Sequence, residues 1–338
     1  MPSSISSSDA HERRWWPTWL GCVIVAAGIV IGAEWYWRHA GYVPNVRDSP
    51  QLWSIQRDRV DRTRKIPLAL LGASRIEFGI DMKLLRQLLP NYEPIMLAQN
   101  GRYPLAVLRD LADDENFRGT VLCDIEPTGL YKKYTDVQQP LVDYYRRQWS
   151  PSWHVHRLLL NAWQKHADVA NSDFSVAAAL VRLIAGDPPL RPDYFRFRTD
   201  RSGDIDYTRT DVEAAKNHFR ELINRRGNLH ADVEPDQWLA DLEPVIEWTR
   251  RIEARGGHVI FYQSPTSGQV RVAEHVIHPP ELYWNRFADR VPAALDGLAN
   301  PALSAFVEPD DSHLDFRDKP AYTRALVDEL VQRGWLQK

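Results

Sequence analysis

Residues 66–75 read IPLALLGASR: an uncharged, largely apolar run from Ile66 to Leu71, then Gly72, Ala73, Ser74 and Arg75. A short apolar run closed by glycine predicts a buried strand that ends in a tight turn. Outward from it the same rhythm repeats. Residues 94–98, 121–125 and 258–262 read as further strands, and residues 82–89, 104–112, 237–255 and 321–333 carry helical spacing. Leu105, Leu108 and Leu111 share one helix face, and Leu326, Leu330 and Val331 form the stripe of the last helix. Short apolar strands that alternate with amphipathic helices imply a mostly parallel sheet covered on both faces. The expected fold is therefore α/β, a three-layer α/β/α domain with a central sheet of about five strands.

Ser74 then lies just past the end of the first strand, and near the C-terminus the chain reads Asp310-Asp311-Ser312-His313-Leu314-Asp315. A serine hydroxyl is a weak nucleophile until an imidazole takes its proton, and a carboxylate that fixes the imidazole tautomer makes that transfer efficient. An aspartate three residues before a histidine reaches its Nδ1 within one turn of chain, so one loop can deliver base and orienter together. Taken singly, each element has a plainer reading. Gly-x-Ser at a strand end is common in α/β proteins, and Asp310, Asp311 or Ser312 can simply cap the last helix. Asp311 and Asp315 remain alternative partners for His313, because spacing does not choose between neighbours.

Residues 15–33 carry no charge, and they are followed by Glu34-Trp35-Tyr36-Trp37-Arg38. A helix of this length spans roughly the 30 Å hydrocarbon core of a bilayer. Trp15, Trp16 and Trp19 at one end and Trp35, Tyr36 and Trp37 at the other match two interfacial belts. A cleaved signal peptide, with Arg13-Arg14 as its basic region and Ile31-Gly32-Ala33 as its cleavage site, is the competing reading. Full spanning length and the aromatic clusters favour an uncleaved anchor, with the bulk of the chain outside the cytoplasm.

The chain divides into a cytoplasmic tail at 1–14, an anchor at 15–37, a polar connector at 38–65 and an α/β domain at 66–338. An insertion rich in Tyr, Trp, Arg and Asp interrupts that domain at about 131–228, with an apolar helix signal at 175–185 and a turn at 186–189. It reads as a cap or a partner surface. A net charge of -3 and the lack of a basic stripe argue against a nucleic-acid partner. Among thirteen tryptophans, those at 149, 153, 163, 238, 248 and 284 are candidates for stacking on sugars, although core packing is the plainer role. Cys22 and Cys123 fall in the anchor and in a buried strand, so they are not expected to pair.

His154-Val155-His156 alternates as strand ligands would, and His275 and His278 are spaced to meet on one helical turn. Neither pair has the third or fourth ligand that zinc requires, so both read as surface or partner-facing histidines. Asp124 and Glu126 end the third strand, where α/β sites form, and the loop Ser264-Pro265-Thr266-Ser267-Gly268 supplies candidate substrate contacts at the same edge.

Three blocks carry a family resemblance: Gly72-Ala73-Ser74-Arg75, Asn100-Gly101 after the second strand, and Asp310-x-Ser312-His313-Leu314 before the last helix. They resemble the SGNH (GDSL-like) hydrolase superfamily, and within it the membrane-tethered members that act beside membrane-bound O-acyltransferases in cell-envelope polymer acylation. The resemblance covers the two ends of the soluble part and not the insertion. It implies Ser74 as nucleophile, His313 as base and Asp310 as orienter, with the amides of Ser74 and Gly101 in the oxyanion hole. The family's third block, Gly-x-Asn-Asp, is replaced by Cys123-Asp124-Ile125-Glu126. Loss of the asparagine donor can cost about 2.7–4 kcal/mol of transition-state stabilisation, and Asn100 is the candidate replacement.

The resemblance further implies O-acyl transfer, acetyl above all, to a cell-envelope or secreted polysaccharide, with no cofactor. It also implies a bacterial inner-membrane location with the domain on the periplasmic side, and partnership with a membrane-bound O-acyltransferase or a polysaccharide synthesis complex. An esterase that uses the same triad with water as acceptor is the first alternative. A non-catalytic assembly subunit that keeps the cleft as a binding surface is the second.

Overall fold

A computed structural model describes residues 15–187, 190, 192–228 and 233–338, so Pro188 and Pro189 of the expected turn lie outside the described residues. In chain order the first elements are helices α1 (Trp16–His39) and α2 (Pro50–Arg62), strand β1 (Ile66–Leu71), helices α3 (Ser74–Gly79) and α4 (Met82–Leu88), strand β2 (Tyr92–Met96), helix α5 (Leu105–Asp113) and strand β3 (Thr120–Asp124). Next come α6 (Gln139–Arg147), α7 (Pro151–Gln164), α8 (Val176–Ala185), the short strands β4 (Phe195–Phe197) and β5 (Gly203–Ile205), and α9 (Val212–Asn228). The last elements are α10 (Pro235–Ala240), α11 (Glu243–Glu253), β6 (His258–Gln263), α12 (Gly268–Ile277), α13 (Trp284–Ala288), β7 (Ala294–Asp296), α14 (Pro301–Ser304) and α15 (Lys319–Gln332).

The chain forms two compact units: the described residues of Met1–Pro44 and His166–Pro192 make one, and Asn45–Lys165 with Asp193–Lys338 the other. The larger unit is built on a five-stranded sheet in the order β2-β1-β3-β6-β7, with every pairing parallel. Its strands are buried on both sides and alternate with period two. Ala69, Leu71, Val121, Cys123, Val259 and Phe261 face one apolar layer, which holds Trp53, Leu108, Ile246 and Phe287. Leu68, Leu70, Leu122, Ile260 and Tyr262 face the other, which holds Met82, Leu85, Leu326 and Leu330. Helices thus cover both faces. The fifth strand, β7, is only three residues long and had no readable period of its own; pairing with β6 defines it.

Strand register brings the site elements to one edge. Leu71 pairs with Cys123 and Asp124 with Tyr262, so the chain leaves β1, β3 and β6 side by side at their carboxyl ends. Ligand sites of open parallel sheets form at that edge.

The stretch expected as a polar, partly helical connector holds α2, started by Ser49, whose side chain accepts from the Leu52 amide, and by Pro50. Trp53 is fully buried in the core and donates its Nε1–H to Leu97 O at 3.0 Å. The charged run is accommodated because buried Arg57 meets Asp110 at 2.8 Å, Asp114 at 2.7 Å and Asp61 at 3.0 Å. The expected helix over 237–255 is two helices, since Pro244 has no amide hydrogen to continue the ladder and its ring crowds the carbonyl one turn back. His154 and His156 lie on α7 and not on a strand. Ser150 caps that helix ahead of Pro151, and two residues of helix turn the imidazoles about 200° apart.

Within the expected insertion, α6 and α7 belong to the larger unit, as do α9 and the antiparallel pair β4–β5. The described residues of 166–192 instead group with the N-terminal helix. That helix, α1, has 24 residues, a mean hydropathy of 1.8 over its most apolar window and no buried residue. It is long and apolar enough to cross a bilayer.

Candidate active site

Gly72 makes the turn that presents Ser74. Its φ is +152°, and a Cβ there would meet Ile76 Cγ2 at 2.6 Å and Asp124 O at 2.9 Å, so the chain can only bend this closely without a side chain. α3 then opens with Ser74 itself.

The opposite half comes from the loop before α15. His313 Nε2 lies 2.7 Å from Ser74 Oγ, and His313 Nδ1 lies 3.0 Å from Asp310 Oδ2. The other Asp310 oxygen accepts from the amides of Ser312 at 2.9 Å and His313 at 2.7 Å, which fixes the carboxylate within its own loop. Burial disfavours the Asp310 charge, but the facing imidazole and the hydrogen bonds from His313, Tyr207 and the Ser312 amide outweigh it. Together they hold the carboxyl below its usual range. Phe219 packs on the imidazole at 4.8 Å between ring centres, and Phe78 meets it edge-on at 6.4 Å.

The alternative carboxylates are engaged elsewhere. Asp311, at φ +67°, turns its Oδ2 to the Gln269 amide at 3.0 Å. Asp315 accepts from the Tyr207 amide at 3.3 Å and pairs with Arg317 at 2.9 Å. Of the three neighbours, Asp310 alone reaches the imidazole.

A cavity of about 330 Å³ opens over Ser74, His313, Asn100 and Gly101. Gly101 has φ +73°, a left-handed conformation that favours glycine. All five residues singled out in the sequence therefore belong to one place: four line the cavity and Asp310 stands behind His313. Asp124 and Glu126 line it too. Burial first, and Glu126 second, push the Asp124 carboxyl up to about 7 against the pull of Arg75. The Ser264 amide donates to Asp124 at 3.0 Å, and Tyr103 Oη–H donates to Glu126 at 2.8 Å.

Arg75, which follows the serine directly, reaches Glu274 at 2.6 Å. Burial opposes its charge, but Glu274, Glu126 and Asp124 more than offset that and keep it firmly protonated. Glu274 also accepts from Thr266 Oγ1 at 2.8 Å. The 264–268 loop was expected to touch substrate. Instead Ser264 and Thr266 are buried and position Asp124 and Glu274, since the polar ends of this edge need partners once water is excluded.

Tyr194, Phe219, Leu222 and Ile223 close the cavity from the mid-chain segment, and sequence reasoning assigned none of them. The one signal was the aromatic content of that segment. Among the described residues no tryptophan lines the cavity; Trp238 and Trp284 are core residues. His278, expected on the surface, is buried just past the end of α12 with Nε2 3.1 Å from Tyr131 Oη, whereas His275 is exposed and faces Arg271 O.

The arrangement can supply a nucleophile, a base in contact with it and an ionised orienter behind the base, with the cavity open to the first two. Compared with known proteins, the chain matches no family model and no curated sequence.

Proposed function

We propose that this protein is a membrane-anchored serine O-acyltransferase that carries an acyl group, acetyl in the first instance, through Ser74 to hydroxyls of a cell-envelope or secreted polysaccharide. The observation that carries the reading is the unbroken line Ser74 Oγ–His313 Nε2, 2.7 Å, and His313 Nδ1–Asp310 Oδ2, 3.0 Å. His313 takes the Ser74 proton as Oγ bonds to the acyl carbon, and returns it to the departing group as the donor bond breaks. The acyl-serine is then opened by an acceptor hydroxyl whose proton passes to His313 and back to Ser74 Oγ. The amides of Ser74 and Gly101, with Asn100 beside them, would receive the oxyanion.

Two features favour transfer over hydrolysis. Asp124 and Glu126 occupy the block where a neutral oxyanion donor would stand, which weakens the site for fast turnover. The apolar helix α1 would hold the cavity near a membrane-embedded acyl donor, such as a membrane-bound O-acyltransferase, where a tether raises the effective concentration. In this reading the larger unit faces the periplasm.

The test is incubation of the purified chain with an activated acetyl ester, with and without an acceptor oligosaccharide, followed by mass spectrometry. An acetyl adduct on Ser74 that is discharged onto the oligosaccharide is the expected result. Acetate release indifferent to oligosaccharide would make the protein an esterase, and no adduct with no turnover would remove the enzyme reading.

A further inference from the structure

The segment paired with the N-terminal helix contains an inside-out helix. α8 reads VAAALVRLIA, and Leu180, Val181, Leu183 and Ile184 are 52%, 64%, 77% and 85% exposed. At 100° per residue these four side chains fall on one broad face. The single charged residue, Arg182, is on the other side, half-buried, and its Nη2 donates to Asp173 O at 2.8 Å. A water-facing helix carries the opposite arrangement, with its charge outward and its leucines inward.

Both ends of α8 are closed. Ser175 Oγ accepts from the Ala178 amide at 3.2 Å, and at the other end Gly186, at φ +70°, lets the Asp187 amide reach Arg182 O at 3.0 Å. Capped ends leave few free backbone groups, which a helix needs where water is scarce.

The position of α8 follows from contacts within its own unit. Phe174, immediately before its cap residue, stacks on Trp37 at 4.3 Å between ring centres and meets Tyr42 at 4.9 Å. Arg38 donates to His166 O at 2.8 Å, and the Val169 amide donates to Glu34 at 3.1 Å. These contacts clamp the lead-in of α8 to the last turns of α1, at the Trp35-Tyr36-Trp37 cluster that marks headgroup level for a spanning helix. Ten residues of helix extend only about 15 Å, too short to cross a bilayer and suited to lying along its surface.

We propose that α8 is a second membrane contact: an interfacial helix that beds Leu180, Val181, Leu183 and Ile184 in the leaflet that α1 leaves. It is independent of the acyl-transfer chemistry and requires only that α1 cross the membrane. Because its outer face carries no charge, binding depends on buried apolar area and not on anionic lipid.

The full-length chain in a Cys22→Ser background, labelled with a polarity-sensitive fluorophore at Leu183→Cys, Ile184→Cys or Ile29→Cys, is reconstituted in phosphatidylcholine vesicles with or without doxyl-labelled lipid. The expected result is blue-shifted emission at 183 and 184, quenched severalfold by doxyl lipid, shielded from aqueous iodide and unchanged by added phosphatidylglycerol. Water-like emission at 183 and 184 with strong lipid quenching at 29 would overturn the proposal and leave the span intact. Blue-shifted emission at 184 that doxyl lipid does not quench would place the face against protein and overturn it as well. Absence of lipid quenching at all three positions would remove the span and this proposal together. The acetyl-serine assay reads the chemistry separately in every case.

Discussion

Asp310 and His313 are three residues apart, and their side chains meet at 3.0 Å, while Asp311, one residue nearer in sequence, points to the Gln269 amide. The left-handed backbone at Asp311 separates the two carboxylates, so they have different jobs although they are adjacent.

Ser74→Ala and His313→Ala should each abolish turnover of a chromogenic acetyl ester, and the double variant should be little worse than either, since the pair acts as one unit. Asp310→Asn should keep the melting temperature near normal yet lose up to about 10⁴-fold in rate through the wrong imidazole tautomer. Asp311→Asn should be mild, because asparagine tolerates left-handed backbone and still offers an oxygen to Gln269. Initial rates beside melting curves decide it; a large loss in Asp311→Asn with full activity in Asp310→Asn would shift the orienter by one position.

Gly72→Ala should destabilise by more than about 2 kcal/mol and displace Ser74. The new Cβ would press on Asp124 O at 2.9 Å, a backbone atom that cannot swing away. Denaturant melts and the ester rate should fall together; a variant with unchanged stability would contradict the close approach of β1 and β3.

Arg201 is fully buried, held by both Asp48 oxygens at 2.7 Å, and its Nη2 lies 3.5 Å from the equally buried Glu77. Arg201→Met should cost about 3–5 kcal/mol, because Asp48 loses its two-point partner and Glu77, whose carboxyl burial already pushes up, loses the cation that pulls it down. Addition of Glu77→Gln to Arg201→Met should recover part of that loss. A double variant that melts no higher than Arg201→Met would disprove the coupling.

Stability should fall as pH rises from about 4 to about 7 on account of Asp124. Its carboxyl, pushed up to about 7 chiefly by burial, stays protonated in the folded chain where the unfolded chain has already lost the proton. The folded state thus binds more protons across that window, and the loss, on the order of 4 kcal/mol at most, is complete above about pH 7. Burial pushes Glu308 up to about 7 as well, so Asp124→Asn should flatten the decline in melting temperature only in part, and Glu308→Gln should remove a further share. A wild-type melting temperature that rises through this range, with Asp124→Asn indistinguishable, would contradict it.

Local pattern alone carried the α/β class, because the continuous apolar run Leu68–Leu71 and the period-3.6 stripes along α5 and α15 are properties of single segments. It also carried α1, whose charge-free length is set by composition, and it marked Ser74, Asp310 and His313, whose turn and loop spacings are short; Asn100 and Gly101 entered only through the family resemblance. What depended on distant partners was illegible. Arg75 meets Glu274 across 199 positions and Arg57 meets Asp110 across 53, and nothing in either neighbourhood says which charge will be buried or by what it will be neutralised. The choice of Asp310 over Asp311 and Asp315 belongs to the same class. Three nearby carboxylates are equivalent as letters, and only packing of the 264–269 loop and of Tyr207 against them assigns two to backbone amides and leaves the third for the imidazole. Tertiary structure decides such cases because desolvation makes every buried polar group find a partner, and the partner is whichever group the fold brings within about 3 Å.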